Sequence, residues 1–233
     1  MWDPPSGYDR STTMYSPRGR IIQTEYAREA MRRGSLSIGI KSSAGVVLAG
    51  HIRTSELDIP NPKISLIDQN FASIFAGFAA DGRVLINRAR VEAQIHKMTY
   101  SEPADIKYIA TKLADYAHMF TQQGGLRPLG IGLLLGGIDF DGEPRIYFVN
   151  PGGGLFETKG KAVGSGDIQA MEYLIANYKE DLSIDDLVKL AKDTIIHAVG
   201  NEESNDKFDE NKDIEIWTIE TGSDNVPVVE SVY

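Results

Sequence analysis

The side chains able to do chemistry are scattered. Four histidines stand at His51, His96, His118 and His197. None has a second histidine or a carboxylate at zinc-ligand spacing, so all four read as ordinary side chains and no metal is expected. There is no cysteine, which removes disulfides, thiol catalysis and thiolate metal sites together and fits a reducing, cytoplasmic setting. Gly164-Ser165-Gly166 precedes a helical pattern, where main-chain N–H groups can cradle an anion. It lacks the third glycine of a dinucleotide fingerprint and has no lysine after it, so a tight strand-to-helix turn is the expectation. Gly152-Gly153-Gly154 reads as a loop. No Gly-x-Ser-x-Gly elbow is present, and no cofactor is expected.

The totals bound what holds these residues. A chain of 233 residues makes one large domain or two small ones with room for a substantial core. Hydrophobic residues are 42% and charged residues 24%, an ordinary globular balance. A net charge of −9 argues against nucleic acid as a partner. The opening Met-Trp-Asp-Pro-Pro has neither a basic stretch nor an apolar run, so no secretory leader is expected, and no stretch is apolar enough for a membrane span. Charge is unevenly spread. Five arginines between Arg18 and Arg33 face only Glu25 and Glu29, while Glu202 to Glu215 carries seven acids against Lys207 and Lys212. The acidic segment reads as a solvated loop or face.

Periodicity supplies the elements. Leu36, Ile38 and Ile40 alternate with Ser37, Gly39 and Lys41 as a half-buried strand; Val46 to Ala49 is a continuous apolar run covered on both faces. Lys63 to Ile67 and Phe71 to Gly77 are two more strands. Two long helices follow, the first with a stripe of Val84, Val91, Ile95 and Met98, the second with Ile106, Ile109, Leu113, Tyr116 and Phe120. Ser101 is placed to cap the second, with Pro103 in its first turn. Ile131 to Leu135, Arg145 to Val149, Leu155 to Thr158 and Ala162 to Val163 are strands. Helices return over 167–178 and 184–199, the latter with Ser183 and Asp186 as a capping box. Asp213 to Glu220 and Val226 to Val229 close the chain as strands. Two facing sheets with a helix pair outside each would bury every apolar face.

One stretch stands ahead of all this. Tyr8 to Gly34 holds a turn at Ser16-Pro17-Arg18-Gly19, with proline where φ is pre-set and glycine where positive φ is tolerated. A helix follows, with Ile22, Tyr26 and Ala30 on one face, Glu29 within reach of Arg32 and Arg33, and Gly34 as a left-handed cap. Met1 to Gly7 has two prolines and little to bury, so it is expected to be mobile. Tyr8-Asp9-Arg10, Ser16-Pro17-x-Gly19-Arg20 and Gln23-x-Glu25-Tyr26-Ala27-x-Glu29-Ala30 resemble the N-terminal signature of α-type proteasome subunits, the archaeal kind above all.

That resemblance implies an α+β fold, a four-layer αββα sandwich of the N-terminal-nucleophile hydrolase type with an added N-terminal helix. It divides the chain into a gate tail, turn and helix over 1–34 and a sandwich over 35–233. It implies a non-catalytic subunit of a seven-membered α ring that caps β-type proteolytic subunits, with gating residues Tyr8, Asp9, Arg10, Pro17 and Tyr26. Activator C-terminal tails, from an ATPase or another activator, would dock at Lys63 and Gly77 with Arg28 nearby. Phe78 stands where an aliphatic residue is common, and Gln123-Gly124-Gly125 replaces Tyr-Gly-Gly in the pore loop. The alternative is an active hydrolase. In β-type subunits cleavage after a glycine exposes the nucleophile at the start of the first strand; Gly34-Ser35 falls at that junction, and Lys63 falls where the β-type lysine activates it. Against this, His51 stands near the place of the expected acid, and an internal Ser35 has no free amine.

Overall fold

Strands and helices sort into four layers among the residues the structure, a computed structural model, describes: 7–52, 57, 61–200, 208–209, 212–221 and 227–232. Residues 1–6 and most of the acidic segment lie outside that set, and with them the expected mobile tip and solvated loop. After α1 (Ile22–Arg32), β1 (Ser37–Ser42) pairs with β2 (Gly45–His51), and β3 (Ile64–Asp68) pairs with β4 (Phe71–Gly77). Then come α2 (Ala79–Tyr100), α3 (Ile106–Gln122), β5 (Ile131–Ile138), β6 (Pro144–Val149), β7 (Leu155–Glu157) and β8 (Gly160–Val163). The chain continues through α4 (Asp167–Asn177), α5 (Ile184–Val199), β9 (Ile214–Thr221) and β10 (Pro227–Ser231).

The strands form two antiparallel sheets, ordered β10-β9-β2-β1-β8 and β3-β4-β5-β6-β7. One core lies between the first sheet and α4 and α5, from Leu36, Ile38 and Ile40 to Leu187 and Ile195. A second lies between the other sheet and α2 and α3. The third lies between the sheets, around Val46, Leu48, Ile74, Leu134 and Ile146. This is the expected αββα sandwich. It also corrects one detail: β1 is covered on both faces, so Ser37 is buried along with Ile38. The Ser183 box forms as expected, with the Asp186 N–H donating to Ser183 Oγ at 3.2 Å and that hydroxyl donating to the Asp186 carboxylate at 2.6 Å.

Four local expectations fail for physical reasons. On α2 the stripe Val84, Val91, Ile95 and Met98 faces outward, each 41–85% exposed. The inward face is Leu85, Ile86, Ala89 and Ala93 with Gly82, where a β-carbon would press on the Phe75 ring. Small residues let this helix lie close to the sheet, so its largest apolar side chains do not mark its buried side. Ser101 does not cap α3; it ends α2 in a left-handed conformation (φ 60°) with its N–H on the Lys97 carbonyl at 2.9 Å. The first N–H of α3, at Ile106, is met instead by Asp139 Oδ1 at 2.9 Å, from a turn far along the chain. On α1 the buried residues are Thr24, Ala27 and Met31, not the Ile22, Tyr26, Ala30 face, because Met31 seats where Gly132 has no side chain. Finally, Gly34 is not left-handed. The helix ends at Arg33 in right-handed geometry, and Gly34 is needed for space.

Candidate functional site

Two regions hold the residues singled out by the sequence. The first is a cleft at the end of the sandwich where β1 begins. Lys63 stands one residue before β3 and sends its stem across Gly50 of β2; a β-carbon on Gly50 would lie 2.6 Å from Lys63 Cδ and 2.8 Å from Cε. The ammonium donates to the Ser35 carbonyl at 3.0 Å and also meets Ser35 Oγ. Beneath it, the Glu215 carboxylate accepts the Lys63 N–H at 2.6 Å and the Ile64 N–H at 3.4 Å. Burial pushes the Glu215 carboxyl above its ordinary pKa, partly offset by those two N–H groups, the Trp217 side chain and the Lys63 charge. The sequence counts Glu215 among the acids of the charged segment and places it in the strand 213–220; the structure buries it in β9, because it points inward between the sheets.

The cleft continues to Gly77 at the end of β4, where φ is +122°. A β-carbon there would fall on the Gly130 carbonyl oxygen, and one on Gly34 would fall on the Gly77 main chain, 2.8 Å from its Cα. Gly34 also gives its carbonyl to the Ser165 N–H at 2.7 Å. Lys63 and Gly77 therefore both border the Gly34–Ser35 link. Beside them, Phe78 lies 53% exposed against Gly130, with its N–H on the Gly130 carbonyl at 3.1 Å. The Arg127 guanidinium sits 5.6 Å from the Phe78 ring centroid and grips buried Asp81 through two bonds of 2.7 and 2.8 Å. Asp81 also accepts the Gly130 N–H at 2.9 Å. Burial raises the Asp81 carboxyl, but its bonds to Arg127 and Gly130 and the Arg127 charge outweigh that, and the net shift is downward. Sequence reasoning singles out neither Asp81 nor Arg127. The available signal is an acid in the first turn of an apolar-faced helix, to which the sequence alone assigns no partner.

The second region is the N-terminal turn. Tyr8–Arg10 forms one turn of 3-10 helix, tied to α1 by the Gln23 side-chain amide on the Asp9 carbonyl. Ser16 N–H donates to the Arg20 carbonyl and Gly19 N–H to the Ser16 carbonyl, both at 2.8 Å, and Gly19 takes the expected positive φ, +71°. Pro17 is exposed and Tyr26 half-buried. Thr12 Oγ1 donates to the Gln123 carbonyl at 3.3 Å, which joins this region to the exposed Gln123-Gly124-Gly125 loop. Arg28 pairs with Glu25 on its own helix at 2.7 Å and reaches the cleft only through α1.

The histidines have neighbours of ordinary kind: Phe208 for His51, Tyr100 and Tyr108 for His96, the Gly152 carbonyl for His118 and Tyr173 for His197. Among the described residues no group of three or more potential ligands gathers for a metal, and no helix is long and apolar enough to cross a membrane.

An αββα sandwich with a lysine at the start of the third strand laid against a residue just ahead of the first has the N-terminal-nucleophile hydrolase architecture, here with a helix that ends at Arg33 and leads through Gly34 to that residue. A family model described as "Proteasome subunit" matches residues 31–218, and a model of the "N-terminal signature" of A-type proteasome subunits matches 8–30. The proteasome alpha subunit of Methanobrevibacter smithii is 44% identical over 200 residues, 84% of this chain and 80% of that one. That of Pyrococcus horikoshii is 46% identical over 191 residues, 81% of this chain and 73% of that one. That of Methanocaldococcus jannaschii is 43% identical over 231 residues, 97% of this chain and 86% of that one. The chain belongs to the proteasome subunit family and carries the α-type signature. It is thus part of a protease complex and assembles with other proteasome subunits.

Proposed function

We propose that this chain is a non-catalytic subunit of a seven-membered α ring, cytoplasmic, which gates access to β-type proteolytic subunits and receives activator tails. The observation that carries the reading is the join at Gly34. The α-type signature folds as a turn and α1, and α1 passes through Gly34 into β1, with Gly34 packed on Gly77 and its carbonyl held by Ser165. Ser35 touches the Lys63 ammonium, as the hydrolase alternative requires, but its nitrogen is in a peptide bond and supplies no base. The lysine instead suits a terminal carboxylate, because its ammonium is a compact charge with three donors. Gly77 lets a peptide main chain approach, and the turn at Pro17 with Tyr8, Asp9, Arg10 and Tyr26 steadies the open state of the gate that the N-terminal tail closes. The loop Gln123-Gly124-Gly125 lines the pore. The outward stripe of Val84, Val91, Ile95 and Met98 is a surface for another member of the particle, since a contiguous apolar face on a helix marks an interaction site.

The test uses the purified chain without β-type subunits. It should keep its full mass and hydrolyse no short fluorogenic peptide. Loss of residues 1–34 together with turnover that disappears in Ser35→Ala would favour the hydrolase reading.

A further inference from the structure

Three residues stand side by side across the first sheet at one level: Glu215 of β9 opposite Gly50 of β2, and Gly50 opposite Ser37 of β1. Paired residues in an antiparallel ladder project to the same face, so all three point at the second sheet. Each end of this row bonds across to it. Glu215 accepts the N–H groups of Lys63 and Ile64, and Ser37 Oγ donates to the Phe75 carbonyl at 2.7 Å. Gly50, in the middle, leaves the groove through which the Lys63 stem runs.

We propose that Glu215 is a positioning residue for activator docking: it pins the backbone at the start of β3, so that the Lys63 side chain crosses Gly50 and delivers its ammonium beside Ser35. The proposal rests on the reading of Lys63 as the carboxylate-binding residue. A lysine stem has four rotatable bonds, and its head is placed only as well as its Cα is placed. Lys63 follows Asn61 and Pro62, both exposed. A carboxylate that accepts both N–H groups fixes Lys63 and the first residue of the strand at once. A negative charge at this spot works against a docking carboxylate, so the role of Glu215 lies in its acceptor oxygen rather than in its charge.

The experiment measures binding to the assembled ring of a synthetic peptide with the ending that the family resemblance implies for activator tails, a hydrophobic residue, tyrosine and one further residue, made once with a free C-terminal carboxylate and once amidated. The ratio of the two affinities reads the ammonium alone and is insensitive to general loosening of the fold. For the wild type the free acid should bind about ten- to a hundredfold more tightly, the worth of one charge-assisted contact. Lys63→Ala should bring the ratio near one. Glu215→Ala, and Glu215→Leu as the variant that keeps the volume, should collapse it most of the way. Glu215→Gln keeps an acceptor and loses the charge, so its ratio should equal or exceed the wild type's. A full ratio in Glu215→Ala beside a lost one in Lys63→Ala would overturn the positioning role and leave the docking reading standing. A full ratio in Lys63→Ala would remove the docking reading itself. Loss of the ring in both Glu215→Ala and Glu215→Leu, or a collapsed ratio in Glu215→Gln, would also overturn the proposal.

Discussion

Gly77 in the cleft and Gly19 in the N-terminal turn share a residue type and a positive φ, +122° and +71°, yet they sit in opposite surroundings. A β-carbon on Gly77 would overlap the Gly130 carbonyl, whereas one on Gly19 would meet nothing within 4 Å. The same contrast runs through both regions. The cleft is built from strand ends cross-bonded by Glu215, Ser37 and Asp81. The turn is held by main-chain bonds, by the Ser16 hydroxyl, which accepts the Arg20 N–H, and by side-chain bonds that include the Gln23 amide and the Thr12 hydroxyl. The proposed roles ask for this contrast: a docking pocket has to keep its shape to recognise a tail, while a gate has to leave its closed position at low cost, and low local contact density is what permits that.

The largest expected effect comes from making one substitution in both places. Gly77→Ala adds overpacking to backbone strain and should cost about 3–5 kcal/mol. Gly19→Ala has backbone strain alone and should cost about 1 kcal/mol. Thermal or denaturant unfolding of the two variants measures the gap, and equal costs would break the comparison.

A smaller effect belongs to Asp81. Asp81→Asn should cost about 1–2 kcal/mol near neutral pH, discounted because the Arg127 side chain is more than half exposed. The folded-state pKa of Asp81 is depressed, so its contribution is present above the ordinary carboxylate value of about 3.9 and is lost as pH falls through the lowered one. The stability gap between wild type and Asp81→Asn should therefore close in acid unfolding below about pH 4. A gap that persists there would show that Asp81 acts by something other than its charge.

The regions also differ in how far the sequence disclosed them. The turn was legible because its determinants are local: proline, glycine and the following helix lie within one short stretch, and Gly19 takes the φ its place demands. The Ser183–Asp186 cap was legible for the same reason. In the cleft the family resemblance pointed to Lys63, Gly77, Phe78 and the Gly34–Ser35 junction, which the structure brings together. What fixes them comes from afar: Glu215 lies in the penultimate strand, and Asp81 meets a loop beyond α3. The cap of α3 by Asp139 is hidden in the same way. The stripe on α2 misled for a different reason. A subunit of an assembly can have apolar faces for its neighbours as well as for its own core, and periodicity does not tell them apart. Where small residues such as Gly82, Ala89 and Ala93 face the sheet, the larger stripe wins the sequence reading and is the wrong one.

The smallest expected effect on stability, and the most direct test of gating, is removal of roughly the first ten residues, a stretch near the chain's start where truncation is best tolerated. The measurement is hydrolysis of a short fluorogenic peptide by the complex of this chain with β-type subunits, full-length against truncated, with assembly checked by size. The truncated complex should assemble as well as the full one and hydrolyse the peptide faster. An intact truncated complex that is no faster would contradict the account of this chain as the gate.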